Sequence, residues 1–214
     1  MGFDMQVDCL SLGDFGTNCY CVRAVAEQAD CAVIDPGLGA EVLVRFLQRK
    51  NLRPQLIILT HGHIDHIAGV ESLRRTWPGI PVAIHRADAN MLVDSEANLS
   101  LMLGDPFETA AADRLLEEGD TVEAASVPLR VLHTPGHTPG GICLHCPQEK
   151  TVFVGDTLFS GSIGRTDFPG GDFDQLIAGI RAKLLTLPPE TVVYNGHGPA
   201  TTIGAEAEDN PYLA

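Results

Sequence analysis

Residues 56–66 constrain this chain more than any other stretch. Residues 56–59 are a continuous apolar run, Leu56-Ile57-Ile58-Leu59, which suits a strand covered on both faces rather than one with a wet side. The run leads directly into Thr60-His61-Gly62-His63-Ile64-Asp65-His66, and a helix is predicted over 67–75. Strand ends that open into loops are where functional side chains are commonly presented. Extended backbone at His61 and His63 puts both imidazoles on one side. Gly62 permits a tight turn between them, and Asp65 and His66 come round as the helix begins. Four metal-ligating side chains within six residues can therefore serve two adjacent cation positions. Imidazole with carboxylate suits zinc, iron or manganese rather than calcium.

Around this segment, short apolar strands are predicted over 5–13, 18–25 and 31–37, then over 81–84, 121–125, 129–132, 142–146, 151–154 and 191–194. Helices are predicted over 40–50 and 173–187, the latter capped by Asp172 or Asp174. Residues 86–116 read as helical in pieces, broken at Gly104-Asp105-Pro106. No repeat, linker or low-complexity tract interrupts the pattern. The expectation is one domain over 1–214, of α/β class, with two sheets covered by helices.

Charge narrows the partners. With 28 acidic residues against 14 basic ones and a net charge of -14, the chain lacks the basic face that a nucleic-acid binder needs. The same balance disfavours an anionic membrane surface, so a small-molecule partner is expected; oligomeric state is not legible. The N-terminal residues have no basic stretch followed by an apolar one, and no segment reaches the length of a membrane span. A cytoplasmic location with reduced thiols is the expectation. Cys143 and Cys146 form a lone CxxC on a predicted strand, where residues three apart face opposite sides, and are read as structural.

The remaining ligands should lie on later strand-to-loop junctions. His137 sits in the turn-rich Thr134-Pro135-Gly136-His137-Thr138-Pro139-Gly140, and His197 in Asn195-Gly196-His197-Gly198-Pro199. Asp156 directly follows the apolar run at 152–155, where an unpartnered carboxylate would cost stability. His85 is read as a hydrogen-bonded strand-end residue and His133 as a neighbour of the ligands. Tyr20, Phe159, Phe168 and Tyr212 are candidates for shaping a pocket, with core packing the reading for most of them.

Together these motifs resemble the metallo-β-lactamase superfamily and, within it, short glyoxalase II-like hydrolases. The likeness runs from NCYCV and VIDPG through THGHIDH, HTPGHTPG and FVGDTLF to NGHGP. It implies a four-layer αββα sandwich. It further implies that His61, His63 and His137 hold one divalent ion, that Asp65, His66 and His197 hold a second, and that Asp156 bridges them, with zinc ahead of iron or manganese. The implied chemistry is attack of a metal-bound hydroxide on a thioester such as S-D-lactoylglutathione, with Asp65 also orienting the water. Long glyoxalase II forms add a helical domain that contacts glutathione. Only 17 residues follow His197 here, so the identity of the thiol stays open. Persulfide dioxygenases share the fold and hold one iron on positions matching His61, His137 and Asp156, which keeps that oxidative chemistry as the alternative. Arg165, in Gly161-Ser162-Ile163-Gly164-Arg165-Thr166-Asp167, is either a substrate-carboxylate contact or the partner of Asp167 in shaping its loop.

Overall fold

A computed structural model describes residues 4–214. Its first six strands are β1 (Gln6–Leu12), β2 (Thr17–Arg23), β3 (Asp30–Ile34), β4 (Arg53–Ile58), β5 (Val82–His85) and β6 (Arg114–Leu116), which form one sheet in that order. The first two pairings are antiparallel and the next three parallel. The second sheet contains β7 (Thr121–Ala124), β8 (Val127–His133), β9 (Ile142–Cys146), β10 (Thr151–Gly155), β13 (Val192–Asn195) and β14 (Thr201–Thr202), in the order β14-β13-β10-β9-β8-β7. A separate hairpin is made by β11 (Leu158–Phe159) and β12 (Ser162–Ile163).

Alternation along the strands sorts side chains into layers. On β2 and β3, Cys19, Cys21, Cys31 and Val33 pack outward against Leu43 and Leu47 of helix α1 (Glu41–Arg49) and Leu73 of α3 (Val70–Thr76). Tyr20, Val22, Ala32 and Ile34 point the other way and meet Val131, Leu144 and Phe153 of the second sheet. Val152 and Val154, flanking Phe153, pack outward against Leu176 of α4 (Phe173–Gly179) and Ile203 of α5 (Ile203–Asp209). The result is the four-layer αββα sandwich. Cys143 and Cys146 fall into different layers, both buried as free thiols.

Three predicted elements differ in detail, and two further elements have no sequence prediction. The helix expected over 67–75 starts earlier and is split into α2 (Ile64–Ile67) and α3, with the Gly69 amide donating to the Pro36 carbonyl (2.7 Å) between them. Residues 86–116 contain two 3-10 turns, Arg86–Leu92 and Leu101–Leu103, but end in β6, whose register on β5 outweighs its helix-like composition. Helix α4 is capped by Asp172, which accepts from the Gln175 amide (2.9 Å), and then widens into a π turn over Ile180–Leu184. Beyond His197 lie β14 and α5, which carried no periodic signal. No helix among the described residues is long and apolar enough to cross a membrane.

Phe153 is fully buried between the sheets, 5.3 Å from the rings of both Tyr20 and Tyr194. Phe153→Ala is expected to lower unfolding stability by about 3–5 kcal/mol in urea titration. A loss below about 1 kcal/mol would show that the inter-sheet layer is not the main core.

Candidate metal centre

The site forms where strand ends of both sheets meet. His61 to His66 leave β4, His137 follows β8, Asp156 follows β10 and His197 follows β13. The sheets are joined there by backbone bonds, Ile142 N–H to the Thr60 carbonyl (2.9 Å) and Asn18 N–H to the Gly196 carbonyl (2.7 Å). Gly155 allows this approach: its φ of +50° belongs to the left-handed region, and a Cβ there would collide with Thr60 Oγ1. Gly62 acts differently from the expected tight turn. Its φ is not positive, and its lack of a side chain makes room for Met91.

All seven predicted ligands converge. One ligand atom each from His61, His63 and His137 lie within 4.8 Å of one another, as do those of Asp65, His66 and His197. A third such group, His61, His66 and Asp156, links the two. Asp156 Oδ1 lies 3.3 Å from His66 Nε2, while Oδ2 is 3.6 Å from His137 Nε2 and 3.5 Å from His197 Nε2.

The outward-facing nitrogens are anchored, which fixes what the rings present to the centre. His137 Nδ1 donates to the Arg165 carbonyl (2.7 Å) and His197 Nδ1 to the Phe15 carbonyl (3.1 Å). His66 Nδ1 donates to Asp35 Oδ2 (2.9 Å). Asp35 is itself buried and also accepts from the Thr60 amide (2.8 Å) and hydroxyl (2.6 Å). Asp88, fully buried, ties the two ligand loops together: it accepts from Gly62 N–H (3.2 Å), Gly140 N–H (2.5 Å) and the Thr138 hydroxyl (2.7 Å).

The donor set fits divalent cations. His61 Nε2, His66 Nε2 and Asp156 Oδ1 are buried with no hydrogen-bond partner, an expensive arrangement unless a cation takes their lone pairs. The electrostatics agree. Burial, aided by its histidine neighbours, pushes His61 well down, and burial together with His137 holds His63 at about 3. Both imidazoles are thus neutral, the ligating form. Burial would raise Asp65, but the His66 charge and a His197 hydrogen bond hold it at about 2. Asp156 is likewise held far below the ordinary range, against its burial, by His66 and His197. Burial would depress His66 and His197, yet the carboxylates raise His66 strongly and His197 to about 9. Ionised carboxylates this deep require positive charge beside them.

Arg165 pairs with Asp167 through two contacts of 2.7 Å, and its guanidinium carbon stacks 3.9 Å from the Phe168 ring centre. Its side chain lies at the rim of the adjoining cavity, and its carbonyl orients His137. His85 stacks on His133 (3.9 Å between ring centres) and accepts from the Ala87 amide, while His133 Nε2 donates to the Pro139 carbonyl. Both lie outside the cavity lining. Of the four aromatics weighed between pocket and core, Tyr20 is in the core, Tyr212 is exposed, and Phe159 and Phe168 line the cavity. Asp35 and Asp88 were not picked out as site residues. Asp35 carries the same signal as Asp156, a carboxylate directly after a buried strand; Asp88 sits in a 3-10 turn with no local mark.

Asp35→Ala removes the acceptor that sets the His66 ring. Cation affinity, measured by competition with a chromogenic chelator, is expected to fall about 10–100-fold; unchanged affinity would mean that Asp35 does not support the centre.

The family model of the metallo-beta-lactamase superfamily matches residues 12–197. The hydroxyacylglutathione hydrolase GloC of Haemophilus influenzae is 35% identical over 98% of each chain. Among solved structures, the BLEG-1 B3 metallo-beta-lactamase superposes with a TM-score of 0.93 at 41% identity, covering 98% of this chain and all (100%) of the other. TTHA1623, solved in a di-iron-bound form, gives a TM-score of 0.85 at 38% identity, covering 97% of this chain and 100% of the other. The sandwich, the histidine-aspartate cluster at its strand ends and these full-length likenesses together place the chain in the metallo-beta-lactamase superfamily.

Proposed function

We propose that this chain is a two-cation hydrolase that cleaves an acyl thioester. The observation that carries the proposal is the chain of three ligand groups, in which the group His61, His66 and Asp156 shares His61 with one neighbour and His66 with the other, with three buried ligand atoms otherwise unpartnered. His61, His63 and His137 would hold one cation and Asp65, His66 and His197 the other, with Asp156 between them. Bound cations of this kind bring a water toward ionisation near neutral pH and polarise a carbonyl. Zinc is the first expectation, with iron or manganese also suited to the donors.

The chain's own groups orient the reaction. Asp65 faces the cavity with Oδ2 held by the Thr17 hydroxyl (3.1 Å) and 3.2 Å from His197 Nε2, and its low proton affinity keeps it ionised, a hydrogen-bond acceptor that can orient a water. His63 and His137 line the same cavity, so a carbonyl entering from it meets both halves of the centre. No serine or cysteine nucleophile is required. The similarity to a named hydroxyacylglutathione hydrolase supports S-D-lactoylglutathione as the reference thioester. A persulfide dioxygenase would use His61, His137 and Asp156, which are all in this cluster, so thioester cleavage against oxygen uptake is what separates the two readings. The likeness to a B3 metallo-beta-lactamase makes a β-lactam the comparison substrate.

The purified protein should hydrolyse S-D-lactoylglutathione or a simpler thioester faster than a β-lactam. His63→Ala should lower kcat/KM by more than about 100-fold, since outer partners of a ligand alone are worth 10–100-fold, with far-UV circular dichroism unchanged. Oxygen uptake on a persulfide with one bound iron, or full turnover by His63→Ala, would overturn the proposal.

A further inference from the structure

The cavity beside the centre has a volume of about 450 Å³ and is open to solvent on one side. His63, Asp65, His137, Asp156 and His197 contribute to its floor, so whatever fills it touches the reacting position. Its walls are of a different character. Leu99, Met102, Leu103, Phe159, Ile163 and Phe168 line it. They come from separate parts of the chain, the segment around the 3-10 turn Leu101–Leu103 and the stretch from β11 through β12 to Phe168. Phe15, from the turn between β1 and β2, adds a further apolar group.

Several of these side chains stand in water. Met102 is 70% exposed, Leu103 54% and Phe15 50%. Scattered exposed apolar residues need no explanation, but a cluster converging on one cleft marks a binding surface. Charge points the same way. Arg165 is the only lysine or arginine among the described lining residues, and Asp167 already takes the Nε–Nη2 edge of its guanidinium. The carboxylates of a glutathionyl group would find no lysine or arginine in this lining that lacks a carboxylate partner.

We infer that the substrate carries an uncharged apolar group of several carbons beside the scissile bond, and that this group, rather than a glutathionyl one, is what the chain recognises. The inference rests on the thioester-hydrolase proposal for the reaction but not for the binding preference. Leu99, Met102, Leu103, Phe159, Ile163 and Phe168 supply the apolar surface that receives this group. Each methylene buried between them tightens binding by roughly fourfold.

The test separates binding from turnover. Straight-chain carboxylates from acetate to octanoate, which mimic the acyl product, and the matching alkanethiols, which mimic the leaving group, are titrated calorimetrically into the metal-loaded protein. Thioesters of N-acetylcysteamine with the same acyl chains are assayed alongside S-D-lactoylglutathione. One of the two ligand series should tighten about three- to fourfold per methylene and thereby identify the side of the bond that carries the apolar group. Replacing Met102 and Leu103 together by serine should flatten that slope. Octanoate and octanethiol binding no tighter than their shortest homologues, or a slope unaffected by the double substitution, would overturn the inference. A steep binding series without hydrolysis of any thioester would leave the apolar site standing and refute the reaction instead.

Discussion

The structure turns on a group of ionisable side chains that only partly satisfy one another. Five imidazoles and two carboxylates converge at the junction of two sheets, and three of their inward-facing atoms have no partner. Burying a polar atom unpaired costs about 1–3 kcal/mol, and more when the group is charged. Their outward-facing atoms are partly tied down by Asp35, Arg165 and Phe15, so the rings cannot all turn away to find other partners. Bound cations would resolve this conflict, and the free energy of binding them would add to the stability of the folded chain.

That convergence is what the sandwich supplies. Strand alternation sends every second side chain of β2, β3 and β10 into the layer between the sheets and the others toward the helices. The seven candidate ligands then need only lie just past the ends of β4, β8, β10 and β13. Asp88 and the bond from Ile142 to Thr60 hold the loops of the two sheets together, which places groups from positions 61 to 197 around one centre. The cavity walls are drawn from other loops and hairpins, so the metal cluster and the surface beside it can vary separately.

Much of this was legible because the signals were local or of an unmistakable chemical kind. The apolar run at 56–59 and the histidines after it marked both a buried strand and a ligand turn, and the later ligands followed junctions of the same type. What escaped had no local signal. β6 is three residues long and exists through its pairing with β5. α5 is held by tertiary contacts: Glu206 accepts from the Gly161 amide and the Thr201 hydroxyl. Asp88 acts across 52 residues on Gly140, and the cavity-lining roles of Phe159 and Phe168 depend on how the β11–β12 hairpin folds back. Spacing cannot report contacts made at such range.

The most direct measurement is anomalous X-ray diffraction from crystals of the metal-loaded protein, collected at the absorption edge of the metal found by elemental analysis. Two peaks are expected, roughly 3.5–4 Å apart, one among His61, His63 and His137 and the other among Asp65, His66 and His197, with Asp156 reaching both. A single peak at saturating metal, or none within reach of these residues, would contradict a two-cation centre.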